Sequence, residues 1–387
     1  MPKRYVNVIA LCLLLCTCVR AQNNLTGRIL DMVTKEPVPF ATVYLDGTSI
    51  GETTNDEGAF VLKGVRLPAT LVVSHLSYET KYLELTKPGP LGDLLLSPRD
   101  AVISGVEVTE KNLREETLAE FTRLLLGTDE WAEGATILND EVLVFDRDYT
   151  YKTVRVRSEL IRKRLLKKNR SDAKWSLDGS EYSYPNPDNL KAKSQGIMKV
   201  SLPHLGYTLR MDLNSFVSDY ETRYTSYLGT FYFQEDNPIT SRHIRNRNRA
   251  YYGSGMHFAR ALMAGKLEEN GFQAYSVSRN QANGQEVIAE ADLSKFLIKG
   301  KDGISYLVGL KDREFAILYY ADSRSRPLPR AKWKRAQPVQ SRMIVQANKC
   351  ALLDGGIFGD THLIFTGNIG ARSLAWALPA DFVLQAD

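Results

Sequence analysis

The chain has 387 residues, of which 43% are hydrophobic and 25% charged; that composition belongs to a folded protein and excludes disorder for most of the length. It is longer than the roughly 100–200 residues of one domain, so two folded units are expected. The formal charge of +5 is modest, and its distribution matters more than its size.

The first segment, "MPKRYVNVIALCLLLCTCVRAQ", opens with Lys3-Arg4, runs apolar from Val6 to about Leu15, and reaches Val19-Arg20-Ala21 before Gln22. This is the plan of a cleaved export signal over residues 1–21, and the apolar run is too short to anchor in a bilayer. Acylation of Cys16 or Cys18 is the rival plan, but Leu15 is too large and Thr17 only marginal for the residue before a lipoprotein cysteine. Cleavage removes Cys12, Cys16 and Cys18, leaving Cys350 and no internal disulfide. It also removes Lys3, Arg4 and Arg20, taking the formal charge from +5 to +2. No later window approaches about 18 consecutive apolar residues, so an exported protein of the periplasm or outer-membrane surface, without a transmembrane segment, is expected.

Residues 22–108 read as short strands with turn punctuation, the spacing of a β-sandwich. "NLTGRILD", "PFATVYLDG", "GAFVLKGV", "ATLVVSHLSYE", "TKYLEL" and "GVEVTE" follow in order. Between two of these strands, Asn55-Asp56-Glu57-Gly58 gathers a carboxamide and two carboxylates against a glycine. The alternation D-x-[DN]-x-[DN]-G of a calcium loop is absent, so a tight turn with Gly58 at positive φ is predicted.

The G-R-I-L-D opening, the P-x-P-F-A-T-V strand entry, the T-N-D-E-G-A-F turn and the apolar strand ending in S-Y-E together resemble the carboxypeptidase-D regulatory-like domain. The resemblance implies a transthyretin-like, non-catalytic sandwich of the kind found at the N-termini of Gram-negative envelope proteins. It does not bring a zinc carboxypeptidase with it. None of His75, His204, His243, His257 or His362 is followed by Glu at the third position, and catalytic zinc needs three protein ligands.

Residues 109–387 change texture and read as one α+β domain. Leu113, Leu118, Phe121, Leu124 and Leu125 have mostly helical spacing and predict a helix over Glu115 to Leu126, stopped by Gly127. A second helix is predicted over Ser254 to Leu267, with Met256, Ala259, Leu262 and Met263 on one face. "EVLVFDRD", "KTVRVR", "GYTLRMDL", "YLGTFYFQE", "SYLVGL" and "EFAILYYA" read as strands. "EFTRLLLGTDEWAEGATILNDEVLVFD", "LGYTLRMDLNSFV" and "NRAYYGSGMHFARAL" are similar to a C-terminal region that accompanies the regulatory-like module in some secreted envelope proteins. That resemblance implies no particular activity.

Candidate reactive groups are weighed against plainer roles. Cys350, in "NKCALLDG", has apolar neighbours and reads as a buried thiol. Ser254 lacks the G-x-S-x-G of a nucleophile elbow because Tyr252 stands two before it, and is expected to cap a helix. His257 beside Phe258 reads as a packed or capping histidine, and Gly355-Gly356 and Gly359 precede no Lys-Ser or Lys-Thr, so no phosphate loop is expected. No catalytic residue, cofactor or metal is expected. A hydrolase assembled from residues distant in sequence is the alternative, and a truncated outer-membrane receptor a third reading, disfavoured by the absence of sustained ten-residue dyads.

Charge is the unusual feature. From Lys152 to Arg170 nine basic residues stand against the single acid Glu159. Arg324 to Arg342 is a second block without an acid, and Arg242, Arg245, Arg247 and Arg249 make a third. These are either solvated strand and loop faces or a contact for an envelope polyanion: anionic lipid, lipopolysaccharide or acidic glycan. Arg162, Lys163, Arg164, Lys167 and Lys168 are the candidate binding residues. An envelope protein is the other candidate partner; nucleic acid is not expected, since no reading motif is present.

Overall fold

A computed structural model describes residues 24–87, 89–99, 111–167, 173–280, 283–359 and 362–385. The expected leader, the expected strand "GVEVTE" and Lys168 lie outside these residues. The chain divides into two compact units between residues 104 and 105.

The first unit is an all-β sandwich of β1 (Leu25–Asp31), β2 (Thr42–Leu45), β3 (Gly51–Thr53), β4 (Ala59–Leu62), β5 (Ala69–Ser74), β6 (Lys81–Leu85) and β7 (Gly89–Leu96). One sheet has the order β4-β1-β7 and the other β3-β2-β5-β6. Alternation along the strands sends Leu25, Ile29, Val43, Phe60, Leu71 and Val73 into a shared core, as two apposed sheets require. Strand β7 was not read from the sequence, because "GPLGDLLL" begins with two breakers. It tolerates Pro90 because, among the described residues, it is an edge strand, paired in parallel with β1 alone. The acidic loop is a turn: Asn55 Oδ1 accepts from Glu57 N at 3.2 Å and Ala59 N at 2.8 Å, and Gly58 has φ +70°. A Cβ on Gly58 would lie 2.4 Å from the Ile29 carbonyl oxygen, so close approach as well as φ selects glycine.

The second unit is α+β. Helix α1 (Lys111–Leu126) inserts Phe121, Leu125 and Leu126 against a sheet of β8 (Thr136–Ile137), β9 (Leu143–Asp146), β13 (Asn189–Ser194), β14 (Met198–Leu202), β15 (Tyr207–Asp219) and β16 (Thr225–Glu235). Gly127, at φ +90°, ends the helix, as a left-handed C-cap position does. Between β9 and β13 the chain makes a small three-stranded sheet of β10 (Tyr149–Arg155), β11 (Lys174–Trp175) and β12 (Glu181–Pro187), with helix α2 (Glu159–Lys167) in the excursion between β10 and β11.

Helices α3 (Ser241–Tyr251) and α4 (Gly255–Met263) lead into the remaining sheets. One holds β17 (Phe272–Arg279), β18 (Glu286–Glu290), β21 (Arg313–Tyr319), β22 (Val339–Val345) and β25 (Leu363–Thr366), in the order β18-β17-β21-β22-β25. The other joins β19 (Leu297–Lys299), β20 (Ser305–Val308), β23 (Lys349–Leu353) and β24 (Ile357–Phe358). A second core, with Phe258, Leu262, Phe272, Phe315 and Leu352, fills the space between them.

Two differences from the sequence reading concern helices. Residues 159–167, expected as strand and loop faces, are helical, and α3 had no forecast. The inward side of α3 carries Arg247, Asn248, Ala250 and Tyr251, so no apolar stripe marks it. Among the described residues no helix is long and apolar enough to cross a membrane.

Candidate polyanion interface

The three basic blocks meet different fates. In the third, Arg247 is buried rather than presented. Its Nε donates to Leu205 O at 2.7 Å, its Nη2 to Gly206 O at 3.0 Å and its Nη1 to Glu235 Oε1 at 2.5 Å. The guanidinium also lies 3.8 Å from the Tyr207 ring centre, so all three of its nitrogens and one face are occupied. Arg249 pairs with Glu130 at 2.8 Å. In the second block Arg326 pairs with Asp322 at 3.1 Å, Arg330 with Glu268, and Arg342 with both Glu286 and Glu314. Lys332, Lys334 and Arg335 remain exposed there, on a short 3-10 helix whose Trp333 is buried and stacked on Tyr320.

The first block divides at α2. Arg155, on β10, pairs with Glu181 at 3.3 Å. Arg162, Lys163, Arg164 and Lys167 all sit on α2, all exposed, and none forms an ion pair among the described residues. The helix starts at Ser158, whose Oγ accepts from Ile161 N at 3.4 Å, and no residue on it is fully buried. Ile161 and Leu165, one turn apart, form its half-buried line. At 3.6 residues per turn the opposite side carries Glu159, Leu160, Lys163, Leu166 and Lys167, one acid among the cations.

The helix is tied to the sheet by Arg162, whose guanidinium is 5.3 Å from the Trp175 ring centre. Trp175 in turn lies 4.8 Å from Tyr182, its partner across β11 and β12. The turn joining those strands passes close to the same arginine, since a Cβ on Gly179 would be 3.8 Å from Arg162 Nη2. Asp178 braces this turn by accepting from Ser176 Oγ at 2.6 Å, Ser180 N at 3.0 Å and Ser180 Oγ at 2.7 Å. Those bonds, the one from Ser176 foremost, draw its carboxyl down to about 2. The turn exposes Leu177 completely.

The apolar members of this patch, Leu160, Leu166 and Leu177, were not singled out in the sequence. Reading "ELIRKRLLK" at a spacing of 3.6 rather than 2 separates Ile161 and Leu165 from Leu160 and Leu166, which is the signal that finds them.

The groups weighed for catalysis have other occupations. Ser254 caps α4, its Oγ accepting from His257 N at 3.1 Å. The His257 ring accepts from Gly253 N at Nδ1, 3.1 Å, and lies 3.1 Å from Asn270 Oδ1 at Nε2, so its proton is on Nε2. Burial pushes this imidazole down to about 4. Cys350 is a buried cysteine on β23. Gly355 O accepts from Arg260 Nε at 2.7 Å. Grooves are open among the described residues of the second unit. One, about 630 Å³, is lined by Glu268, Glu269, Glu290 and Asp292 with Lys266 and Lys295. Another, about 470 Å³, lies over Tyr275, Val277, Ile288 and Leu318. Neither is lined by histidine or cysteine, and among the described residues no group of His, Cys, Asp and Glu is placed to hold a metal ion.

Residues 25–109 match the family model described as the CarboxypepD_reg-like domain. No curated protein matches the chain. Among solved structures, the chain is similar to a type II cohesin–X-dockerin complex from Acetivibrio cellulolyticus, at 23% identity and TM-score 0.19, over 21% of this chain and 62% of that one. A putative membrane-associated protein of unknown function from Bacteroides fragilis shares 13% identity at TM-score 0.17, over 55% of this chain and 94% of that one. A 9R-lipoxygenase from Cyanothece shares 13% identity at TM-score 0.17, over 64% and 48%. With TM-scores this low, none of the three bears on the fold or the activity of this chain.

Proposed function

From a chain whose residues 25–109 are a CarboxypepD_reg-like domain, we propose an exported envelope protein that binds rather than catalyses. Its contact is the α2 lobe, and its ligand is an anionic component of the envelope. The observation that carries this reading is the set of four cations on one exposed helix, Arg162, Lys163, Arg164 and Lys167, with no carboxylate partner among the described residues. Arg247, Arg249, Arg326 and Arg342, by contrast, are taken up by carboxylates and carbonyls within the fold. Each cation held near an anionic surface contributes about 1 kcal/mol, and the contribution fades as salt screens it.

The test is retention on immobilised polyphosphate and co-sedimentation with lipopolysaccharide, comparing the parent with the variant Arg162→Glu, Lys163→Glu, Arg164→Glu and Lys167→Glu. The parent is expected to bind at low salt and release at high salt, and the variant to pass through. Equal retention of both, or none of either, removes the proposal. Fractionation of cells tests the location: recovery in the cytoplasm contradicts export. Turnover of a peptide or ester, abolished by one substitution outside α2, would replace this reading with a hydrolase.

A further inference from the structure

Resting on that reading, we propose that the α2 lobe engages one particular source of anionic charge, the surface of an anionic lipid bilayer, with its leucines entering the headgroup region. A site for a soluble polyanion needs cations alone. This one interleaves them with bare apolar side chains: Leu160 is 64% exposed, Leu166 56%, and Leu177 fully.

Scattered apolar residues on a protein surface are ordinary. Leu160 and Leu166, however, share the outward half of α2 with its lysines. Leu160, Lys163 and Lys167 follow the i, i+3, i+7 line of the outward side, Leu166 lies beside Lys163, and Glu159 at the first turn is the one acid there, so the cations keep the excess. Arg162 and Arg164 flank that side to the left and right, between it and the half-buried Ile161 and Leu165. Lys and Arg carry their charge at the end of long apolar stems, so the ammonium and guanidinium groups reach lipid phosphates while shorter leucines beneath them meet the acyl boundary. Leu177 is presented by a turn that Asp178 holds with three hydrogen bonds and that approaches Arg162 at Gly179.

Helix α2 itself supports the assignment. A nine-residue helix with no fully buried residue has little tertiary support, and isolated helices of that length are marginal in water. An interface that covers its outward leucines supplies the missing burial. Against an apolar protein partner stands the charge: a groove matched to leucines at this density of lysine and arginine would itself have to be acidic throughout. The phosphate layer of a bilayer meets both demands at once, charge above and hydrocarbon below.

The experiment uses the full protein, phosphatidylcholine vesicles with and without phosphatidylglycerol, and polyphosphate as the soluble polyanion. The parent is expected to sediment with the anionic vesicles and not with the neutral ones. The variant Leu160→Ser, Leu166→Ser, Leu177→Ser is expected to keep its polyphosphate retention and lose vesicle affinity by about tenfold for each leucine that enters. The four-site Glu variant is expected to lose both. Vesicle binding by the serine variant equal to the parent's overturns the bilayer inference while leaving the polyanion reading intact. Polyphosphate retention by the Glu variant equal to the parent's removes that reading instead. An independent measurement needs no loss of function: Leu166→Trp is expected to shift its fluorescence to the blue on adding anionic vesicles, and an unchanged spectrum counts against insertion.

Discussion

Helices α2 and α3 are both short, both rich in basic residues, and both lie in the second unit, yet α3 builds a central arginine into the fold while α2 displays all of its cations. In α3, Arg247 reaches two carbonyls, a carboxylate and a tyrosine ring and is buried. In α2 the four cations find no carboxylate among the described residues, and Arg162 rests on Trp175 alone. Charge density along a chain therefore does not predict which cations are available to a ligand. What decides is whether carbonyls and carboxylates converge on the guanidinium once the chain is folded.

The comparison can be broken most directly at Arg247. Arg247→Met leaves the Leu205 and Gly206 carbonyls without their donor and is expected to cost about 4 kcal/mol. All four tryptophans, Trp131, Trp175, Trp333 and Trp376, lie in the second unit, so tryptophan fluorescence in urea reads this loss. A variant as stable as the parent would show that the interior contacts of α3 contribute nothing.

The next largest effect is pH-dependent and belongs to the region that follows α3. His257 is held neutral in the fold with its pKa lowered to about 4, chiefly by burial, whereas the unfolded chain takes up its proton near 6.5. Its contribution is therefore complete above about pH 6.5 and is lost as pH falls toward 4, in total about 3 kcal/mol. His257→Gln is expected to flatten that slope between the two values. An identical pH dependence in parent and variant places the titration elsewhere.

Arg342, shared between Glu286 and Glu314 at the surface of the sheet, is the intermediate case. Arg342→Gln is expected to destabilise less than Arg247→Met, by an amount that shrinks with added salt. A loss unaffected by salt would mean packing of the arginine stem rather than charge. The smallest effect belongs to α2. Its four-site Glu variant is expected to unfold within about 0.5 kcal/mol of the parent, because the altered side chains are exposed. A larger loss would place these cations in the framework instead of on display.

Much of the framework was legible before any coordinates. The sandwich announced itself through alternation, turn residues and a strand-entry pattern, because each inward side chain in a two-layer β-fold imposes period two on its own segment. Helix α1 and the cap of α4 at Ser254 were legible for the same local reason: Phe121 and Leu125 recur at helical spacing, and a serine before Gly255 has a backbone N–H to accept. Strand β7 escaped because its tolerance of Pro90 depends on its being, among the described residues, at a sheet edge. Helix α3 escaped because its buried side is polar.

The candidate interface was half legible. Arg162, Lys163, Arg164 and Lys167 stood out as a run of charge; Leu160, Leu166 and Leu177 did not, since a leucine among basic residues carries no mark of whether it faces inward or outward. The amino-acid order by itself determined the sandwich pattern of β1 to β6, the alternating strands of the second unit and the places where charge accumulates, all consequences of neighbours a few residues apart. Only the tertiary structure decided that Arg247 is interior and Lys163 exterior. The groups that satisfy or fail to satisfy a cation come from strands and loops remote in sequence, and their convergence is a property of the folded chain.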